Sequence, residues 1–577
     1  MSHIQAHEAG ADLPLHEQPK IHARRWWILA VLCLSLLIVF IGNSSLNVAI
    51  PTLSRDLNAT NSQLQWVIAV YSLVFAGLLF SSGATGDRYG RKGALQFGLV
   101  VYLIACVGAS EASSMSQLIA ARAAMGVGAA FIMPSTLSIL VNVFSPEERT
   151  KAIAIWASVT GAAGAIGPVA SGWLLGHFWY GAVFLVNVPI LVFALVAGGT
   201  LIPRSKDPQQ ARLDPVGAVL SIIGVVAIVY GLIEAPEHGW TSPTTLISFA
   251  VGVVVLTVFV FWELHNDEPM LDIRYFKVPA FSTGTSGMIL VFMAMYGVMF
   301  LVTQYFQLIL GYSALSSAVR FLPMAPIMII VAPMTPRLSK RFGAHRTVAF
   351  GMLMVAVGLL MFRALSVDTS YWYLLVALIP LISGMALAMS PMTAAIMSAV
   401  PPRRAGAGSA MNDATRELGA ALGIAIMGSV ASSQYTHHVD KLTASLSPQI
   451  QDAARTSLAD ALGAAAELGG EAGRTLAVGT EHAFIDGIHF AVTVGSILAV
   501  IAAFAVYRFL PRDLADEASL HGPVESMEDA AELGIAGVLP VFPDAVDDET
   551  ADADQAAHDA GAGASQIGGL GQQPSPA

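Results

Sequence analysis

Apolar runs of roughly 20 residues recur along almost the whole of this chain, and each is long enough to cross about 30 Å of hydrocarbon as a helix. Fourteen can be separated by charged or Pro/Gly-rich breaks, from 26–50 at the start to 406–433 and 483–510 at the end. The backbone amides of such runs are satisfied only within the helix itself, so the expected fold class is all-α and polytopic. The first run follows a polar, His-rich leader (1–25) and is too long for the core of a signal peptide, so it is expected to remain as a span. A mean hydropathy of +0.65 over 577 residues agrees with this reading.

Orientation follows from the basic residues. With the N-terminus placed in the cytoplasm, 21 of the 29 Lys and Arg residues fall on the cytoplasmic side, five fall outside and three lie within spans. Both termini are therefore expected in the cytoplasm of a cell-membrane protein. The net charge of −11 comes from the tail: 513–577 holds 14 of the 40 acids and no Lys or Arg. That tail is expected to be disordered. No basic patch points to nucleic acid. Cys33 and Cys106 both sit inside apolar runs, which leaves neither a disulfide framework nor a zinc site in view. The Ala-rich stretch 433–481 is expected to form a long outer loop with a short helical hairpin.

One short loop breaks the chain's avoidance of charge. Gly83 to Gly93, GATGDRYGRKG, follows the second run, and Gly86 to Lys92 (GDRYGRK) has a weak copy at Ser339 to His345 (SKRFGAH). Arg88 matches Arg341, Tyr89 matches Phe342 and Gly90 matches Gly343. Each copy follows the second span of its half if spans seven and eight (202–264) are an insertion. The remainder is then two six-span bundles, 26–201 and 265–512, as in transporters built from repeated halves.

GATGDRYGRK resembles the signature loop between spans two and three of the major facilitator superfamily. NVAIPTL (Asn47 to Leu53), RAAMGVGAA (Arg122 to Ala130), GAIGPVASG (Gly164 to Gly172), FLVNVPI (Phe184 to Ile190), LDPVGAVL (Leu213 to Leu220) and MNDATRELGAALG (Met411 to Gly423) narrow the resemblance to the fourteen-span drug:proton antiporters. It covers about residues 24–512. It implies a proton-driven exporter that needs no cofactor or metal and works on a small-molecule substrate in the lipid membrane. A monomer is expected to suffice.

In the loop, Gly83, Gly86 and Gly90 suit a tight turn, and Arg88, Arg91 and Lys92 suit the cytoplasmic side. Asp87 is the odd residue. The resemblance implies that it contacts a helix N-terminus and basic groups across the two halves, latching the cytoplasmic side shut; a solvated acid in a topogenic turn is the plainer reading. In span five, Pro168 with Gly164, Gly167 and Gly172 combines a kink with close helix approach. The resemblance associates this pattern with export, although Ala163 and Ser171 stand where the fuller pattern has glycines.

Ionisable groups at mid-membrane are costly and so are functional hypotheses. Span thirteen carries Asn412, Asp413, Arg416 and Glu417. At 1.5 Å per residue, Asp413 lies about 12 Å and Glu417 about 18 Å from the inner face. The two acids share a face, and one should hold a proton unless Arg416 compensates it. Proton coupling is the expectation; an Arg–carboxylate pair that only holds helices together is the alternative. Arg122 matches the family's membrane arginine, and Asp486 at the outer start of span fourteen is a weaker candidate. Many members carry an Asp in span one, where this chain has Gly42 followed by Asn43. The first-half proton site is therefore expected to be missing, which weakens the case for strongly cationic substrates. Asn43 and Asn47 could still bind substrate through hydrogen bonds. In span nine, Met295, Tyr296, Met299 and Gln304 suit a pocket for varied apolar ligands, or else packed core.

No Gly-x4-Gly-Lys-Ser/Thr loop and no nucleophile–base motif occurs, so neither ATP drive nor an enzyme is expected. Multidrug efflux by alternating access leads. A dedicated exporter of one endogenous product, such as a lipid, siderophore or antibiotic, is the alternative. A non-transporting membrane sensor is the reading from a different class.

Overall fold

A computed structural model describes residues 15–206, 213–266, 269–400 and 405–512, all within one of two units of the chain. The expected acidic tail lies outside the described residues. The first half supplies α1 (Pro19–Leu57), α2 (Asn61–Tyr89), α3 (Arg91–Ser110), α4 (Met115–Val143), α5 (Pro146–Leu175) and α6 (Ala182–Leu201). Next come α7 (Pro215–His238) and α8 (Pro243–His265). The second half supplies α9 (Pro279–Ile309), α10 (Ala314–Phe342), α11 (Ala344–Ala364), α12 (Tyr371–Ser398), α13 (Ala405–Thr443) and α14 (Gly470–Phe509). Thirteen of these are long and apolar enough to cross a membrane. The other, α13, is long enough at 39 residues, but Asp413, Arg416, Glu417 and its polar end dilute its apolar run. It packs among α2, α9 and α14 and so belongs to the bundle.

The helix starts are written in the chain. Proline opens α1, α5, α7, α8 and α9, where its missing N–H is no loss. Thr60 and Gln63 form a reciprocal capping box on α2. Proline inside α10 has the opposite effect. Pro323, Pro326, Pro333 and Pro336 break it into three short α-helical pieces and a 3-10 turn.

The two halves repeat at atomic detail. Gly90 joins α2 to α3 with φ 119°, and Gly343 joins α10 to α11 with φ 87°, both in a region that favours glycine. The next residue, Arg91, donates its N–H to Ser205 O at 3.0 Å, just past α6. Ala344 donates in the same way to Arg512 O at 3.1 Å, just past α14. Eight residues beyond each joint, Gly98 lies against Gly128 O and Gly351 against Gly384 O, so α3 meets α4 as α11 meets α12.

The halves meet along two seams. Along α2 and α13, Ser429 Oγ donates to Gln65 Oε1 at 3.2 Å and Ser72 Oγ donates to Glu417 Oε2 at 2.6 Å. Along α5 and α10, a methyl group at Gly172 would lie 2.7 Å from Leu315 Cα. Toward the end that carries the termini, α5 and α10 part. Gly161 and Gly164 face nothing within 4 Å, and residues 324–334 of α10 contain no buried side chain. At the opposite end Gln307 Nε2 of α9 donates to Val48 O of α1 at 3.0 Å, and Ser54 Oγ reaches Ser457 Oγ at 3.2 Å. The bundle is thus closed at the 433–481 end and parted between α5 and α10 at the terminal end. The 433–481 segment itself consists of extensions of α13 and α14 with two short helices between them, Pro448–Thr456 and Leu458–Leu468. α7 covers the outside of the α2–α13 seam, where Val229 and Ile233 pack on Ala69, Leu73, Ala421 and Ala425. α8 packs chiefly on α7.

Candidate functional site

α13 carries its polar cluster into the middle of the bundle. Asp413 and Glu417 share a register, but their surroundings differ. Asp413 Oδ1 lies 3.8 Å from Arg416 Nη1, and the same guanidinium sits 5.8 Å from the centroid of the Phe292 ring. Glu417 is 8% exposed and accepts a hydrogen bond from a neutral hydroxyl, Ser72 of α2, across the seam between the halves. Asn412 Oδ1 accepts from Thr393 Oγ1 of α12 at 3.0 Å, which anchors the start of the cluster to its own half. The structure therefore separates a charge-compensated acid from one whose hydrogen-bond partner carries no charge.

Arg122 of α4 is fully buried in the first half, behind that seam. Its guanidinium stacks on Tyr71 at 4.3 Å, with Nε donating to Val67 O at 3.1 Å and Nη1 to Gly42 O at 3.3 Å. Nη2 is buried with no partner. The two glycines after it explain the RAAMGVGAA pattern. Gly126 lies against the backbone of Tyr71 on α2, and Gly128 against Gly98 and Tyr102 on α3. A side chain at either position would push α4 out and remove the arginine from its carbonyl partners.

Gly42, which stands in the register of the family's span-one acid, has no room for a side chain. A methyl group there would lie 2.1 Å from the Tyr102 hydroxyl. Beside it Asn43 is 4% exposed, and the side-chain oxygens of Asn43 and Asn47 are both buried without donors. Across the bundle Tyr296 stacks with Phe292 at 6.3 Å, and Met295, Tyr296 and Met299 are only partly buried. Gln304 lies further toward the 433–481 end. It is buried, donates to Phe300 O within its own helix, and lines a small cavity with Gln65, Gly428 and Tyr435. It stands apart from the Met295–Met299 group.

At the terminal end, Asp87 Oδ1 accepts from Arg91 Nε at 2.7 Å and from Ser138 Oγ of α4 at 3.2 Å. Both partners belong to its own half. Lys92 Nζ donates to Gly199 O of α6 at 2.7 Å, Arg88 lies over Tyr89, and Gly83 rests on Pro134 at ordinary contact distance. Beside Pro168 in α5, Ser45 Oγ of α1 donates to Gly167 O at 3.1 Å, and Ser171 Oγ donates to Ser45 O at 2.9 Å, so hydrogen bonds as well as close packing join α5 to α1. Gly167 packs on Ile41 of α1 and Gly172 on α10, whereas Gly164 faces open space. Asp486 lies at the far end, half exposed, 3.9 Å from both His438 and His489.

Ser72, Tyr71, Tyr102 and Thr393 were not singled out from the chain. Each is one hydroxyl among many in the apolar helices, and only the partner brought to it by the fold distinguishes it from the others.

Comparison with known proteins agrees with this architecture. Residues 32–424 match the sequence profile of the Major Facilitator Superfamily. The multidrug efflux pump LfrA of Mycolicibacterium smegmatis is 36% identical over 84% of this chain and 96% of its own. The tetracenomycin C resistance and export protein of Streptomyces glaucescens is 30% identical over 86% of this chain and 94% of its own. The methyl viologen resistance protein SmvA of Salmonella typhimurium is 32% identical over 83% and 97%. Among solved structures, a bacterial homologue of the human lysosomal transporter Spinster matches with a TM-score of 0.60 at 18% identity, over 86% of this chain and 98% of that one, a likeness of fold. The chain is a member of the Major Facilitator Superfamily, a multi-pass membrane transporter of small molecules rather than an enzyme.

Proposed function

We propose that this chain exports amphipathic small molecules across the cell membrane in exchange for protons, with Glu417 as the principal proton carrier. The observation that carries the reading is the position of Glu417. It is buried between the halves with a neutral donor, Ser72, while the neighbouring acid Asp413 has Arg416. A carboxyl held across a seam that opens and closes is hydrated in one state and dry in the other. It therefore binds a proton in one state and releases it in the other. Arg122, with a free buried Nη2 behind the seam, favours the ionised form when the carboxylate turns toward it. The efflux and resistance relatives support export as the direction. Both termini and the parted α5–α10 end then face the cytoplasm, in keeping with the Lys and Arg distribution. Asn43 and Asn47 offer acceptors to the substrate and Met295, Tyr296 and Met299 an adaptable apolar wall. Asp87 acts as a latch when the terminal end closes. The two bundles work as a monomer, and the proton gradient replaces any cofactor.

Transport into inverted vesicles tests this. Uptake of a lipophilic dye should require an inwardly acidic gradient and vanish in Glu417→Gln combined with Asp413→Asn, with insertion and dye binding retained. Concentrative uptake by that double variant would place coupling elsewhere, with Asp486 the next residue to test. The similarity to the tetracenomycin exporter supports a second reading, a dedicated exporter of one product. A panel of unrelated dyes separates the two: several substrates would support a broad exporter, none a dedicated one.

A further inference from the structure

The inserted hairpin holds a second pair of acids, distant in sequence and away from the transport cluster. Asp214 caps the start of α7 and Glu263 lies in the last turn of α8; they are 6% and 2% exposed. Asp214 is richly supplied with donors. Its Oδ1 accepts from Gly217 N at 2.8 Å and from Trp262 Nε1 at 3.0 Å, and its Oδ2 accepts from Asn266 Nδ2 at 2.9 Å. Glu263 is not so supplied. Its Oε2 accepts from Leu271 N at 3.1 Å, but its Oε1 is buried with no donor.

That bare oxygen lies beside the other acid. A methyl group at Gly217 would lie 2.4 Å from Glu263 Oε1 and 2.7 Å from Asp214 Oδ2, so the two oxygens flank one point. Among the described residues, the charged groups that face Glu263 are Asp214 from α7 and Asp272 from the segment leading into α9, and both are acidic. Two ionised carboxylates buried side by side, one with an unsatisfied oxygen, would be strongly unfavourable. A single proton removes the conflict. Placed on Glu263 Oε1, it donates to Asp214 Oδ2, and the three N–H donors on Asp214 identify that residue as the ionised member.

We infer that Asp214 and Glu263 form a second proton-binding site, a carboxyl–carboxylate clamp at the end of the inserted hairpin. The clamp joins the start of α7, the end of α8 and the connection into α9. Because α7 rests on both α2 and α13, it holds the hairpin on the seam between the halves. The proton belongs to the folded state, so the stability it contributes is present while it is bound and is lost as pH rises and the two charges face each other.

Infrared spectra of the full-length chain, purified in detergent, test the site without any transport assay. At neutral pH the parent should show a protonated carboxylic-acid stretch that is lost in Glu263→Gln, whose amide N–H₂ takes the place of the proton as donor to Asp214. Asp214→Asn, which can donate to Oε1 instead, should also lose it, so either variant suffices if the other fails to fold. Thermal unfolding supplies a second readout. The melting temperature of the parent should fall from neutral to alkaline pH more steeply than that of Glu263→Gln. A difference spectrum showing Glu263 ionised at neutral pH, or equal pH slopes in parent and variant, overturns the inference.

Discussion

At Gly42 a missing acid and a neighbouring hydroxyl explain each other. The Tyr102 hydroxyl occupies the volume a side chain would need, so an acid in this register has no room and α1 packs closely on α3 instead. Restoring the acid should therefore destabilise the protein: Gly42→Asp is expected to cost about 1–3 kcal/mol from overpacking. Tyr102→Phe alone loses only a long hydrogen bond to Ile38 O, at 3.4 Å, and should change little. Combined with Gly42→Asp it should recover part of the loss, because the obstructing oxygen is gone. Melting temperatures of the three variants in detergent measure this, and an unchanged value for Gly42→Asp alone would refute the steric account. The same scale separates Asp413 from Glu417. Four residues apart on one helix, Asp413 has a local partner in Arg416, whereas the partner of Glu417 comes from another helix.

At the scale of the helix, the joints before α3 and α11 are the most constrained points of the repeat. Gly90 and Gly343 have positive φ, each is followed by a residue whose N–H reaches the end of its half, and each is followed eight residues later by a glycine at a helix crossing. A side chain in this backbone region costs about 1–3 kcal/mol. Gly90→Ala and Gly343→Ala should each lower stability by at least an amount in that range, with the larger loss at Gly343, where an added methyl would also lie 2.9 Å from the His345 ring and 3.0 Å from Arg512 Cγ. A loss at one joint only, read from thermal unfolding, would show that the repeat does not extend to energetics. Much of this repeat could be seen beforehand in GDRYGRK and SKRFGAH. Its continuation to Phe97-Gly98 and Phe350-Gly351 has too few identities to register until the two helix crossings are superposed.

For the whole molecule, the two ends differ in what joins the halves. Gly172 lets α5 approach α10 at the closed end, while Asp87 is held by Arg91 and Ser138 within its own half at the parted end. Gly172→Leu should disfavour this conformation by about 1–3 kcal/mol, shifting population toward a form closed at the terminal end. Spin labels at Lys151→Cys on α5 and Lys340→Cys on α10 would then report a shorter distance. Asp87→Asn, which weakens the latch that would hold the terminal end shut, should enrich the long distance and slow turnover while leaving insertion unchanged. Parental turnover and an unchanged distance distribution in Asp87→Asn would remove the latch from the mechanism.

The sequence by itself determined the helical, many-spanned architecture, the two related halves, the family and the concentration of charge on α13. Those properties follow from local quantities: the length of an apolar run, a proline or glycine at a joint, and the cost of an ion in hydrocarbon. Tertiary structure alone decided that Ser72 serves Glu417, that Tyr102 closes off the space beside Gly42, and that Asp214 and Glu263 meet. Each of these joins groups on different helices, with separations set by packing. A periodicity says which residues share a face of one helix. It does not say which face of another helix will be laid against it.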